Sequence, residues 1–445
     1  MVSSHFRDRE GRSLAQADSH PLARIFKFAA RIEPFEFKAV LIGFAYNFFL
    51  FGSYMILRPI RDALGTSYGQ FNQLFLGTFI GTIIFATIFG AAAGRMKLAA
   101  LLPWVYGFIA LTLIGFYILF ENGGNSRWTA GAFYVWVSVF NLIITSVLWS
   151  LMADMFSREQ AKRLFGFVFA GGSAGAAIGP AITAIFVTMV GTDLLLLVSA
   201  AGFLVAVGLV LLLEREKKEM YARGLDAQGT TLDHRLSANP FRGFSLILRS
   251  PYLLGIATFT VLMVWAATFL YIDLQNMIQA AYPDADERAR VFAIMDVIVN
   301  VAAIMLQMFG TSRLITRFGV NSGLVVNAVI MIVGFAAVAI VPALSVLMVF
   351  QVARRIAQYA LAQPSRQMLF TIVDQESKYK AKNVIDTVFY RGADYTAAEF
   401  LAVLNFGVSG VAAVAIAFCV VWWWVGRALG RRYETASEDL TFAET

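Results

Sequence analysis

Two runs place ionised side chains inside otherwise apolar sequence. Leu57-Arg58-Pro59-Ile60-Arg61-Asp62 closes the first long apolar stretch, and Arg391, Asp394, Tyr395 and Glu399 fall within about two helical turns far along the chain. An ionised group near the centre of a bilayer costs at least ~2.5–3.5 kcal/mol on insertion scales, so it faces a watery cavity, a partner or the membrane edge. Arginine offers a planar fork of donors that matches phosphate or carboxylate. A desolvated carboxyl group can alternate between protonated and ionised forms. These residues point to recognition of an anionic solute, with Asp394 and Glu399 as proton-coupling carboxyls.

Helical phase extends the set. Asn47, Tyr54, Arg58 and Arg61 share one face of a helix, with Asp62 beside them. Asp296, Asn300 and Gln307 repeat that spacing, as do Gln351, Arg354 and Gln358 with Arg355 adjacent. Polar stripes on four helices thus aim at one interior, and Asn141 joins them as a candidate. Asn47, Asn141, Asn300 and Gln307 read equally well as helix ties, each hydrogen bond worth about 1 kcal/mol or less. For Arg391 and Asp394, three residues apart, mutual neutralisation is the structural alternative.

The elements that must hold these residues are membrane spans. In 445 residues, 59% are hydrophobic and only 15% charged, and the mean hydropathy is +0.68, beyond what a soluble domain of this length buries. The chain reads as an all-α polytopic membrane protein. With about 20 apolar residues per crossing, it holds about twelve transmembrane helices in two six-helix halves. Expected boundaries are an N-terminal tail 1–37 with an amphipathic lead-in from Pro21, a first half 38–213, a linker 214–250, a second half 251–427 and a tail 428–445. An even number of spans puts both termini on one side. Arg95, Lys97, Arg158, Lys162, Arg163, Arg313, Arg317, Arg366, Lys378, Lys380 and Lys382 collect there, which makes it the cytoplasmic side of the inner membrane. The first 37 residues lack the short apolar core of a cleaved signal. The net charge of +7 is met by membrane lipid at tails and loops, with no nucleic acid partner. The single Cys419 forms no disulfide within the chain.

The halves look alike. The loop from Gly90 to Lys97 answers Gly310 to Gly319, and Asp154 to Arg163 answers Asp374 to Lys382. Duplicated folds of this kind rock about a central site near the midplane. In the fifth span, Gly171, Gly175 and Gly179 with Pro180 predict close backbone packing and a break in the helix. His5, His20 and His234 stand in tails or linker, so neither a histidine metal cluster nor a buried histidine base is expected. Gly171-Gly172-Ser173-Ala174-Gly175 lacks the lysine of a phosphate loop, which argues against ATP-driven pumping. No enzyme activity, cofactor or metal is expected. Secondary transport by alternating access remains.

Gly166, Gly175, Gly179 and Pro180 resemble the fifth-span motif of antiporters of the major facilitator superfamily, with Thr183 and Ala184 where two further glycines would stand. More broadly, Tyr54 to Gly65, Gln160 to Gly179, Tyr271 to Gly319 and Tyr379 to Glu399 resemble the bacterial ATP/ADP translocase-like proteins, nucleotide exchange transporters of major facilitator architecture. The likeness runs from Lys38 to Arg427. It is most specific in Leu57 to Asp62, in Ala161-Lys162-Arg163-Leu164-Phe165 and in Lys380 to Asp386 continuing to Arg391. Where the exchangers carry lysine then aspartate, Arg61-Asp62 keeps the charges, and Arg391 matches an arginine five residues after Asp386. Asp394 stands where that family has a lysine associated with phosphate recognition. The resemblance implies a monomeric transporter of an anionic solute, such as a nucleotide or related phosphate compound, working by exchange or proton coupling. Two alternatives stay open: a proton-coupled transporter of an unrelated small solute, and a non-transporting membrane sensor or scaffold. A helix beginning near Lys38 would carry Arg58 about 30 Å along, to the outer mouth of the cavity.

Overall fold

A chain crossing lipid must satisfy its backbone internally, and helices do so here. The structure, a computed structural model, describes residues 33, 35–93, 96, 98–124, 126–156, 158–222, 242–404 and 407–444. Its helices are α1 (Phe37–Tyr68), α2 (Phe71–Ala93), α3 (Leu98–Glu121), α4 (Arg127–Met155), α5 (Arg158–Ala222), α6 (Arg242–Arg249), α7 (Pro251–Ala281), α8 (Ala285–Leu306) and α9 (Ser312–Ile340). There follow α10 (Leu344–Ala357), α11 (Gln363–Met368), α12 (Gln375–Val384), α13 (Tyr390–Leu404) and α14 (Val408–Glu444). Short π-helical segments, Gln307–Thr311, Gln358–Ala362 and Ile385–Phe389, join α8 to α9, α10 to α11 and α12 to α13. No strand occurs among the described residues. The lead-in up to residue 32, Gly94, Arg95, Lys97, most of the linker (223–241) and the three histidines lie outside the described residues, as do the side chains of Arg158, Lys162 and Lys378.

Two of the long helices hide a reversal. In α5, Gly191 has φ 81°, a conformation open to glycine at little cost. Thr183 before it donates to the Ile56 carbonyl at 3.1 Å, and Ser199 after it donates to the Ser53 carbonyl at 2.9 Å. Residues eight places to either side of Gly191 therefore lie level against α1, so the chain doubles back. In α9, Gly319 has φ 74°, and Thr311 and Asn327 flank it at the level of Ala360 and Gln358. Counting these reversals, the described residues form twelve membrane-length rods, six before residue 223 and six after 241. We call the end carrying Phe37 and the last turns of α14 the terminal face, and its opposite the distal face.

Three local expectations need correction. Gly310 lies inside a π-helical segment, and the helix runs on to a single-residue break at Gly319 in place of a loop from 310 to 319. The fifth rod does not stop at Pro180 but continues to Gly191. α1 extends ten residues beyond Arg58, so that guanidinium sits about 15 Å short of the distal end of the helix, within the bundle and not at its mouth. The glycine stripe does pack closely: a Cβ on Gly171, Gly175 or Gly179 would strike the backbone of Phe44, Phe48 or Gly52 on α1. This seats α1 at the centre of the bundle, against α5, α4 and α8. Isoleucines 80, 83, 84 and 88 of α2 and Trp424 of α14 are exposed, as lipid-facing side chains are. Beyond the apolar stretches, the sixth rod continues to Ala222, where Glu216 pairs with Lys38, and α14 continues unbroken through the expected tail to Glu444.

Candidate functional site

Around the middle of the bundle and towards the distal face, the polar stripes converge into two linked clusters. The first centres on Asp296 of α8, which is 2% exposed. The Arg355 guanidinium donates to its Oδ1. Arg58 Nε stands 3.8 Å from Oδ2, an ion pair without a hydrogen bond. Arg58 also donates to the Tyr359 hydroxyl at 3.2 Å, and the Arg355 guanidinium lies 5.8 Å from the centre of the Tyr359 ring. Arg58 belongs to the first six rods and its partners to the last six, so this cluster ties the two sets together.

The second cluster lies around Asp62. Arg61 gives it two hydrogen bonds, at 2.6 and 3.0 Å, and Tyr271 of α7 donates to the same oxygen at 3.0 Å. The Arg61 guanidinium also faces the Tyr134 ring at 5.3 Å, and the Tyr134 and Tyr271 hydroxyls meet at 3.3 Å. Beside it on α13, Arg391 reaches Asp394 at 3.3 Å and the Ser138 carbonyl of α4 at 3.5 Å, while Thr268 donates to the other Asp394 oxygen at 3.0 Å. The Arg391–Asp394 pairing weighed from sequence is thus formed, but within a network that also reaches α4 and α7.

The electrostatics favour anions. Five arginines, at 58, 61, 354, 355 and 391, share the region with three aspartates, at 62, 296 and 394, leaving two cations in excess. Arg354 meets Gln351 at 3.0 Å and no carboxylate among the described residues. Arg355 Nε and Nη2 and Arg391 Nε are buried without a hydrogen-bond partner in the protein. A buried donor left unpaired costs free energy. An anion with several acceptor oxygens would satisfy them.

Other candidates fall elsewhere. Asn47 is fully buried and donates to the Gly43 carbonyl of its own helix and towards Met152 Sδ. Asn300 ties α8 to α5 through the Ala176 carbonyl at 2.9 Å. Gln358 accepts from Asn327 and donates to Met263 Sδ, and Gln307 donates to the Tyr359 carbonyl. Tyr54 is buried edge-on to Phe140, and Asn141 is half-buried one residue further along α4. Glu399 accepts from Asn72 of α2 at 3.3 Å and borders a groove with Trp265, Tyr395 and Phe400, so it parts company with Asp394. Tyr134, Ser138, Tyr271, Thr268 and Tyr359 are absent from the sequence-based set. Tyr134, Ser138 and Asn141 share one helical face, and Tyr359 lies four residues after Arg355, so phase was available to find them. An aromatic residue in a membrane span carries little polar signal on a hydropathy scan.

Polar ties join the first six and last six rods at the middle of the bundle and towards the distal face. At that face Arg288, in the first turn of α8, donates to Ser67 near the end of α1 at 2.7 Å, and Asp286 accepts from the Thr192 amide beside the Gly191 reversal at 3.0 Å. Asn72 and Glu399 add another tie.

A bundle of twelve rods with a charged interior, its two sets of six tied together at the distal face, has the architecture of a membrane transporter. The Major Facilitator Superfamily sequence profile matches residues 39–353, and the chain belongs to that superfamily. Over 453 aligned residues it is 22% identical to ADP,ATP carrier protein 1 of Chlamydia muridarum (strain MoPn / Nigg), covering 85% of this chain and 84% of the carrier. Its fold is similar to that of a POT family transporter in complex with 5-aminolevulinic acid, with TM-score 0.61 at 12% identity over 89% of this chain and 96% of the other. It is also similar to a bacterial homologue of the human lysosomal transporter Spinster in an inward-facing and unoccupied conformation, with TM-score 0.56 at 14% identity over 91% and 99%.

Proposed function

We propose that this major facilitator protein is a secondary active transporter of a phosphate-bearing anion, a nucleotide or related phosphate compound, across the cytoplasmic membrane with both termini cytoplasmic. The observation that carries this reading is the excess of arginine over aspartate at the centre of the bundle, with buried guanidinium N–H groups left for external acceptors. Arg354 and Arg391 supply the first contacts to phosphate, and Arg58 and Arg355 follow as the anion competes with Asp296. The likeness to an ADP,ATP carrier supports a nucleotide-like cargo. The ties at the distal face support an alternating-access cycle in which that side closes and reopens. Reopening the distal side breaks the Arg288–Ser67 and Asp286–Thr192 bonds as the two six-rod halves rock about the arginine site.

Asp394 gives this cycle its coupling. It shares Arg391 with any anion bound there, and an anion that takes over the guanidinium leaves the carboxylate beside another negative charge. Uptake of a proton by Asp394 relieves that repulsion, so proton and anion cross together. The test is a thermal-shift screen of purified protein against ADP, ATP, sugar phosphates, inorganic phosphate and uncharged nucleosides, followed by flux in proteoliposomes. A specific anion at a hundredfold excess over Kd stabilises the native state by about 2.7 kcal/mol. Stabilisation by nucleosides with none by any phosphate compound overturns the anion reading, and stabilisation without flux overturns transport.

A further inference from the structure

A groove of about 530 Å³ lies between α2 and α4 on the distal half of the bundle, away from the arginine site. Its walls are apolar, formed by Leu74, Ile84, Phe85, Val135 and Trp136, and its floor is opened by Gly81 and the exposed Ala132. The twelve residues from Trp128 to Val139 along it span about 16 Å. That is half of a hydrocarbon core about 30 Å thick, the depth of one leaflet. At the distal end the apolar character stops. Tyr68, Gln73 and Trp128 form a polar and aromatic rim, and the Arg127 guanidinium lies 4.8 Å from the Tyr68 ring and 5.9 Å from the Trp128 ring.

Arg127 meets no carboxylate among the described residues; two ring faces hold it at the mouth of the groove instead. Aromatic faces attract a cation without neutralising it, so the charge stays available at the depth of the headgroups. We propose that the groove seats one acyl chain of an anionic phospholipid in the distal leaflet, with the lipid phosphate on Arg127. Apolar length, leaflet depth and charge at the rim all match that one molecule. The groove residues Ala132, Val135 and Trp136 lie on the side of α4 away from Tyr134 and Ser138, which touch Arg61, Tyr271 and Arg391. A seated lipid therefore braces from behind the helix that carries part of the arginine site.

The test is native mass spectrometry of the full chain in detergent, titrated with phosphatidylglycerol, with phosphatidylcholine of the same acyl chains, or with inorganic phosphate, alongside thermal melting. One phosphatidylglycerol should bind preferentially and raise the melting temperature. With about 1 kcal/mol for a basic residue near an anionic lipid surface, Arg127→Gln should weaken that binding about fivefold. Ala132→Phe, at a lipid-exposed position that tolerates the larger ring, should fill the groove and abolish the ordered lipid. Equal retention of both lipids by the native protein, undiminished binding by Ala132→Phe, or a stabilisation by inorganic phosphate that Arg127→Gln abolishes would overturn the proposal.

Discussion

Replacing Asp296 by asparagine keeps the side chain's shape and removes the charge on which Arg58 and Arg355 converge. The Arg355 side chain is only 8% exposed and that of Asp296 3%, so losing the carboxylate leaves a buried cation without its partner. Breaking a buried pair from one side costs ~3–5 kcal/mol. At an effective dielectric near 20, the Arg58 contact at 3.8 Å adds an attraction of about 4 kcal/mol, reduced in practice because the Arg58 side chain is 18% exposed. Asp296→Asn is therefore expected to melt several degrees below the native protein. The same change adds one unit of positive charge to the site, and even ~1.4 kcal/mol of added attraction binds an anion tenfold more tightly. Melting in detergent with and without ADP reads both effects: a lower melting temperature alone, and a larger upward shift with the anion. The double variant Asp296→Asn with Arg355→Gln removes both charges and should recover most of the lost stability, since the cost lies in the unpaired ion. If Asp296→Asn melts and binds as the native protein does, or if the double variant is less stable than the single one, the buried-pair argument is wrong.

Arg354→Gln should leave stability within about 0.5 kcal/mol, because no carboxylate depends on it among the described residues, yet weaken anion binding at least tenfold in the same melting assay; unchanged binding removes Arg354 from the site. In proteoliposomes, Asp394→Asn should retain counterflow and lose accumulation driven by a pH gradient, and accumulation equal to the native protein's would exclude Asp394 as the coupling group. Gly175→Leu drives a side chain into the Phe48 backbone and should reduce folded yield severely, which size-exclusion chromatography reports; a normal yield would mean that α1 and α5 do not pack as described. Arg288→Ala should shift the population towards a distal-open form, measured as faster labelling of a cysteine introduced at Ser138, and an unchanged rate would show that the Ser67 tie does not hold the distal face.

Much of this protein is legible in its sequence because lipid imposes few solutions. Long apolar runs must be helices, ions within them must meet partners, and in the bundle Arg58 and Arg355 do meet Asp296 while Arg391 meets Asp394. Partner choice was less legible. Asn47, Asn300 and Gln358 show the same helical phase as the arginines, yet they bond to helix backbone, methionine sulfur or a neighbouring amide. Phase fixes the side of a helix and leaves its neighbour undetermined. The reversals at Gly191 and Gly319 were blurred for a related reason: a single glycine can turn the chain within an unbroken apolar stretch, and composition does not register φ.

By itself, then, the sequence determined the solvent, the helical class and which residues are too costly to bury without partners, since each of these follows from transfer free energies and local periodicity. Only the tertiary structure decided that Asp296 joins Arg58 to Arg355, that Asp62 bonds to Tyr271, and that Glu399 lies apart from Asp394 beside Asn72. Those contacts link residues as many as several hundred positions apart. Their strength depends on ångström-scale separation and burial, which the packing of whole helices sets and no local spacing encodes.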